Sequence, residues 1–282
     1  MDVLEYAAFA DGPGGGNPAG IVLDATDLDD ATMQRVAAEV GHAETAFVVA
    51  RDPADPRALT LRYFSPQAEV PFCGHATVAT AVALAERQGV GTFRFATAPG
   101  LVVIATATTA DGIRATFTSV EPAVTTLERE VLDRLLTLLH LDRSDLDDRH
   151  PPAEAFAGNR HPVVVLRDPS TFDGFGFDPA AVRALMDEQG WAGTVTVLIE
   201  RDPTTFEARN LFPVGAITED PATGSAAASV GAYLRATGAV TPPATVTIHQ
   251  GRHVGRPSRL TVDVGPAGGI RVSGGAVRMG VS

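Results

Sequence analysis

Lysine is absent from this chain. All 22 basic residues are arginine, set against 34 Asp and Glu, so the formal net charge is −12. Without a lysine amine there is no Schiff base to pyridoxal phosphate and no lysine nucleophile. The arginines form no run, so the basic patch that phosphate contacts require is missing and no nucleic-acid partner is expected. Cys73 is the only cysteine, which excludes an intrachain disulfide and a cysteine-rich metal centre. The seven His are scattered. HxH, HExxH and two-His-one-carboxylate spacings are all missing, so spacing suggests no metal. No apolar run reaches the roughly 18 residues of a membrane span, and Met1–Gly12 lacks the basic and apolar stretches of a leader, so the expected location is cytoplasmic with no membrane partner.

What is present is a globular composition, with 282 residues, 45% hydrophobic and 20% charged. That length fits one large domain or two of about 140 residues. β-Branched segments bounded by Gly, Pro, Asp or Ser predict strands at Val3–Ala8, Ala19–Leu23, Ala46–Ala50, Leu59–Phe64, Gly91–Ala96, Leu101–Thr106 and Gly112–Phe117. The texture repeats at Pro162–Leu166, Thr194–Ile199, Thr205–Asn210, Ala244–His249, Arg259–Val264 and Gly269–Arg278. Helices are expected at Asp29–Gly41, Gly74–Gln88, Thr126–Leu139, Asp178–Glu188 and Thr223–Thr237. This is an α+β pattern without regular βαβ alternation.

Two helices have no charged face: Gly74–Leu84 (GHATVATAVAL) and Gly224–Leu234 (GSAAASVGAYL). A helix that is apolar all round is a buried one. Its small side chains let neighbouring backbone come close. Each is expected to be a central helix enclosed by a strongly curved, mainly antiparallel sheet.

The flanks of these helices repeat. Glu69-x-Pro71-x-x-Gly74-x-Ala76 returns 150 residues later as Glu219-x-Pro221-x-x-Gly224-x-Ala226. Upstream, Arg62-Tyr63-Phe64-Ser65-Pro66 echoes Arg209-Asn210-Leu211-Phe212-Pro213, and Gly16-Asn17-Pro18 loosely echoes Gly158-Asn159-Arg160. Three echoes in one order indicate tandem duplication of a domain. The expected boundary is near Val120–Thr126. It gives an N-terminal domain at 1–121, completed by a strand from about 268–282, and a C-terminal domain at 122–267.

Duplication implies a cleft between related domains and two equivalent helix N-termini, at Gly74-His75 and Gly224-Ser225. Free backbone N–H groups at such ends bind carboxylates or an oxyanion. Within the repeat, Cys73 answers to Thr223 and His75 to Ser225. Glu44 stands at a strand entrance beside Ala46 and Phe47, while its counterpart region, Gly190–Leu198, carries no carboxylate. Partial burial there would suit Glu44 to act as base and acid. Asp220 enters the second helix through Pro221-Ala222-Thr223, where capping or turn formation is its simpler role. The Gly14-Gly15-Gly16 loop and the His161-Pro162 approach are further candidates for shaping a pocket.

These segments resemble the PhzF family of phenazine-biosynthesis isomerases, which have the diaminopimelate epimerase fold. The resembling pieces are GNPAGIVLD (16–24), Glu44-Thr45-Ala46-Phe47-Val48, Arg62-Tyr63-Phe64-Ser65-Pro66 and Glu69-Val70-Pro71-Phe72-Cys73-Gly74-His75-Ala76-Thr77. Glu219-Asp220-Pro221-Ala222-Thr223-Gly224-Ser225-Ala226 and Gln250-Gly251 with Gly255-Arg256-Pro257-Ser258 complete them. The resemblance implies two pseudo-symmetric domains, a homodimer and no cofactor. It further implies proton transfer on a small conjugated carboxylate such as a dihydro-hydroxyanthranilate, with Glu44 as general base and acid. His75 and Asp220 would be its catalytic partners, and Gly74, Gly224, Ser225, Asn17, Cys73 and Thr223 would bind substrate. The thiol-using epimerases of this fold need one cysteine from each domain, so with Thr223 opposite Cys73 a two-thiol inversion is unavailable and Cys73 is not expected to be an essential nucleophile. The alternatives are a non-catalytic small-molecule binder or scaffold that kept the fold, and an amino-acid epimerase-like enzyme with non-thiol bases.

Overall fold

A computed structural model of the chain describes residues 1–214 and 217–280. It divides into two compact units. Unit 1 is Met1–Thr118 together with the described residues from Ser273 on, and unit 2 is Ser119–Val272.

Unit 1 runs β1 (Leu4–Ala8), β2 (Asn17–Val22), α1 (Asp30–Val40), β3 (Glu44–Asp52), β4 (Asp55–Phe64), β5 (Glu69–Val70), α2 (Gly74–Gln88), β6 (Thr92–Thr97), β7 (Gly100–Thr109) and β8 (Gly112–Thr118). Unit 2 runs β9 (Ala123–Thr126), α3 (Arg129–Leu138), β10 (Ala153–Phe156), β11 (Arg160–Leu166), α4 (Pro169–Gly174), α5 (Pro179–Gln189), β12 (Val195–Asp202), β13 (Thr205–Val214), β14 (Ile217–Asp220), α6 (Gly224–Thr237), β15 (Ala244–Gln250) and β16 (Ser258–Val264). The last strand, β17 (Arg271–Arg278), pairs antiparallel with β1 and so closes unit 1 with the end of the chain.

Both units use one pairing order. In unit 1, β1 and β2 are antiparallel, β2 and β3 parallel across α1, β3 and β4 antiparallel, β4 and β5 antiparallel, β4 and β6 parallel across α2, and β6 and β7 antiparallel. In unit 2 the same sequence of relations links β10, β11, β12, β13, β14, β15 and β16, with α4 and α5 in the place of α1 and α6 in that of α2. β9 pairs with β10 as β17 pairs with β1. The ordered echoes in the sequence are therefore echoes of topology.

The helices α2 and α6 are buried along their length, from His75 to Ala85 and from Ala226 to Leu234. α2 lies against β1, β2, β3, β7 and β8, and α6 against β9, β10, β11 and β16. A sheet that puts so many strands against one helix has to wrap around it. Val78, Val82 and Leu84 are at most 1% exposed, and each such side chain contributes about 1.5–3 kcal/mol by burial. The threonines tolerate the core because their hydroxyls are bonded: Thr77 and Thr80 donate to the carbonyls of Cys73 and Ala76 at 2.6 and 2.7 Å. Outside the sheet, α1 packs Met33, Val36 and Ala37 on Val22, Phe47 and Phe64. In unit 2 a larger cluster joins Leu132, Leu135, Leu136, Phe172, Leu185 and Trp191 with Val164, Val197 and Leu211. No helix among the described residues is long and apolar enough to cross a membrane.

Some elements differ from the sequence expectation. The helix expected from Thr126 starts at Arg129, because Thr125 and Thr126 pair with Glu154 and Ala153 as part of β9. The short strands β5, β9, β10 and β14 and the six-residue α4 carry too few residues for a periodic signal.

At Gly231 the backbone of α6 lies close against its neighbours. A Cβ there would lie 2.7 Å from Val262 Cγ1 and 2.8 Å from Ile270 Cγ2, and both neighbours are fully buried. Gly231→Ala gains about 1 kcal/mol of helix propensity but overpacks the core at a cost of about 1–3 kcal/mol. Net destabilisation is expected, read as a lower urea midpoint with an unchanged m-value. A raised midpoint would show that unit 2 has slack at this helix.

Candidate active site

In unit 1 the local structure delivers four of the residues singled out in the sequence to one place. α1 ends at Gly41, whose left-handed φ of 71° stops the helix. The chain then turns into β3, of which Glu44 is the first residue, beside Ala19 of β2. Cys73 is the N-cap of α2, His75 lies in its first turn, and Asn17 opens β2. The Cys73 thiol donates to Glu44 Oε2 at 3.4 Å and lies 3.3 Å from His75 Nδ1. His75 Nε2 is 3.4 Å from Glu44 Oε2, and Asn17 Nδ2 is 3.2 Å from His75 Nδ1. The Glu44 side chain keeps one-fifth of its surface exposed, whereas Asn17, Cys73 and His75 are buried.

Burial pushes the His75 imidazole down to about 4, so the ring is neutral at pH 7. A neutral ring does not stabilise a neighbouring carboxylate as an imidazolium would. Spacing in the sequence suggested no metal. The fold nonetheless gathers Glu44, Cys73 and His75 so that their ligand atoms lie within 4.8 Å of one another.

In unit 2 the equivalent positions are polar but carry a different network. Thr223 is the N-cap of α6, as Cys73 is of α2, and neither cap bonds its own helix through its side chain. The Thr223 hydroxyl instead donates to Asp220 Oδ2 at 2.5 Å. Gln250 fastens this turn: its Nε2 donates to the Asp220 carbonyl at 2.6 Å, and its Oε1 accepts from the Thr223 N–H at 3.2 Å. Ser225 Oγ, beside Gly224 in the first turn of α6, lies 3.2 Å from His161 Nε2. His161 Nδ1 accepts from the Thr194 N–H at 2.9 Å, which leaves Nε2 to carry the proton and donate it to Ser225. Thr194 and Thr196 both donate to Asn210 Oδ1, at 2.8 and 2.7 Å. Burial pushes His161 down to about 4 as well.

Arg51-Asp52-Pro53 ends β3 as Arg201-Asp202-Pro203 ends β12, 150 residues on. By that offset Thr194 stands where Glu44 does. That pair of tripeptides could have identified Thr194 from the sequence. Asn210 and Gln250 were in the quoted segments without a role, because their partners are distant in sequence. A further shared device pins each helix entrance: Arg62 grips Glu69 with two bonds of 2.7 Å, and Arg209 grips Glu219 at 2.5 and 3.2 Å.

With this geometry in hand, comparison with known proteins places the chain. The family model PhzC-PhzF, phenazine biosynthesis-like protein, matches residues 6–280. The uncharacterized isomerase YddE of Escherichia coli O157:H7 is 32% identical over 268 residues, 93% of this chain and 89% of that protein. The crystal structure of the Bacillus anthracis phenazine biosynthesis protein of the PhzF family superposes with a TM-score of 0.84 at 26% identity, covering 99% of this chain and 98% of the other. A probable proline racemase from Agrobacterium radiobacter, 12% identical, shares the fold with a TM-score of 0.65 over 99% of this chain and 91% of its own. The chain belongs to the PhzF family and is an isomerase with the diaminopimelate epimerase-like fold.

His75 and His161 set a pH dependence. An ordinary imidazole takes its proton near 6.5, and both rings resist it down to about 4. Between those values the unfolded chain binds the protons and the folded chain does not. Stability is therefore full above about pH 6.5 and falls as pH drops toward 4, by up to about 3 kcal/mol per ring at about 1.4 kcal/mol per pH unit. Urea unfolding of wild type and His161→Gln across this range should show a shallower slope in the variant. Equal slopes would mean that His161 is protonated in the folded protein.

Proposed function

We propose that this isomerase moves a proton between two carbons of a small conjugated carboxylate, with Glu44 as both base and acid. The observation that carries the reading is the Glu44 carboxylate itself. It sits one-fifth exposed at the start of a strand, 3.4 Å from a buried neutral His75, beside the N-cap of a buried helix.

Glu44 takes the proton from an acidic C–H, and the C–H electron pair enters the conjugated system. The same carboxyl group then returns the proton at another carbon of that system. Protons and electrons balance without an oxidant or a reductant. The α2 N-terminus at Gly74 offers backbone N–H groups and the positive end of a helix dipole to the substrate carboxylate, holding the C–H near Glu44. Asn17 orients His75 and Cys73 lines the wall. In unit 2, Gly224, Ser225 and Thr223 offer the same helix-entrance chemistry, ordered by Asp220 and Gln250. A dihydro-hydroxyanthranilate-like compound is the model substrate. A cytoplasmic, cofactor-independent homodimer, usual for the family, belongs to the same reading.

Glu44→Gln preserves size and hydrogen bonding but cannot accept the proton. Turnover should fall by about 10² to 10⁴-fold, with little change in substrate dissociation constant, because the substrate carboxylate is held at the helix end. The measurement is solvent deuterium uptake into dihydroaromatic amino acids and related conjugated carboxylates, followed by NMR. Exchange in Glu44→Gln as fast as in wild type, on a confirmed substrate, would remove Glu44 from the mechanism.

A further inference from the structure

A chain of hydrogen bonds in unit 2 runs from a buried backbone amide to a partly exposed hydroxyl. It starts at the Thr194 N–H, which donates to His161 Nδ1 at 2.9 Å. The Thr194 hydroxyl and carbonyl oxygens also lie near Nδ1, at 3.0 and 3.1 Å. The N–H decides the tautomer. Thr194 is 2% exposed and His161 0%, and a buried N–H left without an acceptor costs more than an oxygen left with a spare lone pair. With Nδ1 accepting, Nε2 carries the proton and donates to Ser225 Oγ at 3.2 Å. A hydroxyl has one proton of its own. Because the Ser225 oxygen already receives the ring N–H, its proton points away from His161.

The backbone is shaped around this ring. A Cβ at Gly193 would lie 2.4 Å from His161 Cε1 and 2.6 Å from Nε2. The ring fills the space of the side chain that Gly193 lacks, so packing holds it in place as well as its two hydrogen bonds. The repeat shows what the chain replaces. After Gly16-Asn17-Pro18 and Gly158-Asn159-Arg160 come Ala19 and His161. Ala19 pairs with Glu44 in unit 1, and His161 lies beside Thr194 in unit 2. Where unit 1 has a methyl group and an acid, unit 2 has an uncharged relay.

We propose that His161 is a positioning residue: it fixes Ser225 as a hydrogen-bond donor, so that the α6 entrance takes an oxygen acceptor of the substrate and rejects a donor group. The proposal rests on the reading that this entrance takes part in substrate binding. Ser225 stands in the first turn of α6, where backbone N–H groups are donors too. A carboxylate oxygen is the acceptor that such a set suits, since a hydrogen bond to a charged oxygen is stronger than one between neutral groups. Burial holds the His161 ring down at about 4, so it is neutral at pH 7 and keeps one bare nitrogen for the Thr194 N–H. No proton is transferred along the chain; its links only set which way each hydrogen points.

Two measurements on the full-length protein test this. The first needs no ligand. In ¹H–¹⁵N spectra that detect the imidazole long-range couplings at pH 7, the His161 signals, identified by their loss in His161→Gln, should show a protonated Nε2 and a bare Nδ1. The opposite tautomer would overturn the proposal. The second follows, by calorimetry, the binding of anthranilate, an aromatic carboxylate with the skeleton of the model substrate. Ser225→Ala and His161→Leu should each weaken binding by about tenfold, as expected for one hydrogen bond to a charged group. Together they should weaken it by about the same tenfold, because His161 acts through Ser225. Losses that multiply in the double variant, or His161→Leu binding as tightly as wild type, would overturn the positioning role. Equal binding by wild type and Ser225→Ala, or binding by neither, would overturn Ser225 as the donor. If His161→Leu does not fold, the tautomer and Ser225→Ala carry the test. Neither readout involves proton transfer at Glu44, so failure here is separate from failure of that reading.

Discussion

A helix without a polar face cannot rest on a protein surface, because every side of it has to leave water. α2 and α6 are such helices, and the rest of each unit follows from enclosing them. Alanine, glycine, serine, threonine and valine keep the helix thin enough for several strands to reach it. Only its ends remain available for polar chemistry. The N-terminal end, where backbone N–H groups lack helical partners, becomes the natural place for an anion or a reacting carboxylate.

Duplication then supplies two such ends, and divergence gives them different characters. Unit 2 ties its polar groups to one another: Thr194 and Thr196 donate to Asn210, and Gln250 closes the turn between Asp220 and Thr223. Unit 1 has an acid where unit 2 has Thr194, a thiol where it has Thr223 and an imidazole where it has Ser225. What stays common is structural. Arg62–Glu69 and Arg209–Glu219 hold the chain as it enters each helix. The shared devices build the entrance, and the residues that differ give it a different polar lining in each unit.

The burial of His75 has two consequences that pull in opposite directions. It costs stability as pH falls, because the unfolded chain offers the proton a better site. It also keeps the ring uncharged beside Glu44. The fold keeps the ring neutral by placing His75 in the first turn of a helix buried from His75 to Ala85.

The sequence by itself determined the two buried helices, their repeated flanks and most of the strands. These are local properties: Gly74–Leu84 lacks a charged face whatever surrounds it, and Glu69-x-Pro71 and Glu219-x-Pro221 are written 150 residues apart. It also singled out Glu44, because the second half carries no acid at the matching strand entrance. The partners of that residue were beyond its reach. Only the tertiary structure brings Asn17, Glu44, Cys73 and His75 within bonding distance, and only it shows Gln250 reaching back to Asp220 and His161 bridging Thr194 and Ser225. Such contacts join segments tens of residues apart through strand register and sheet curvature, and no spacing along the chain records them.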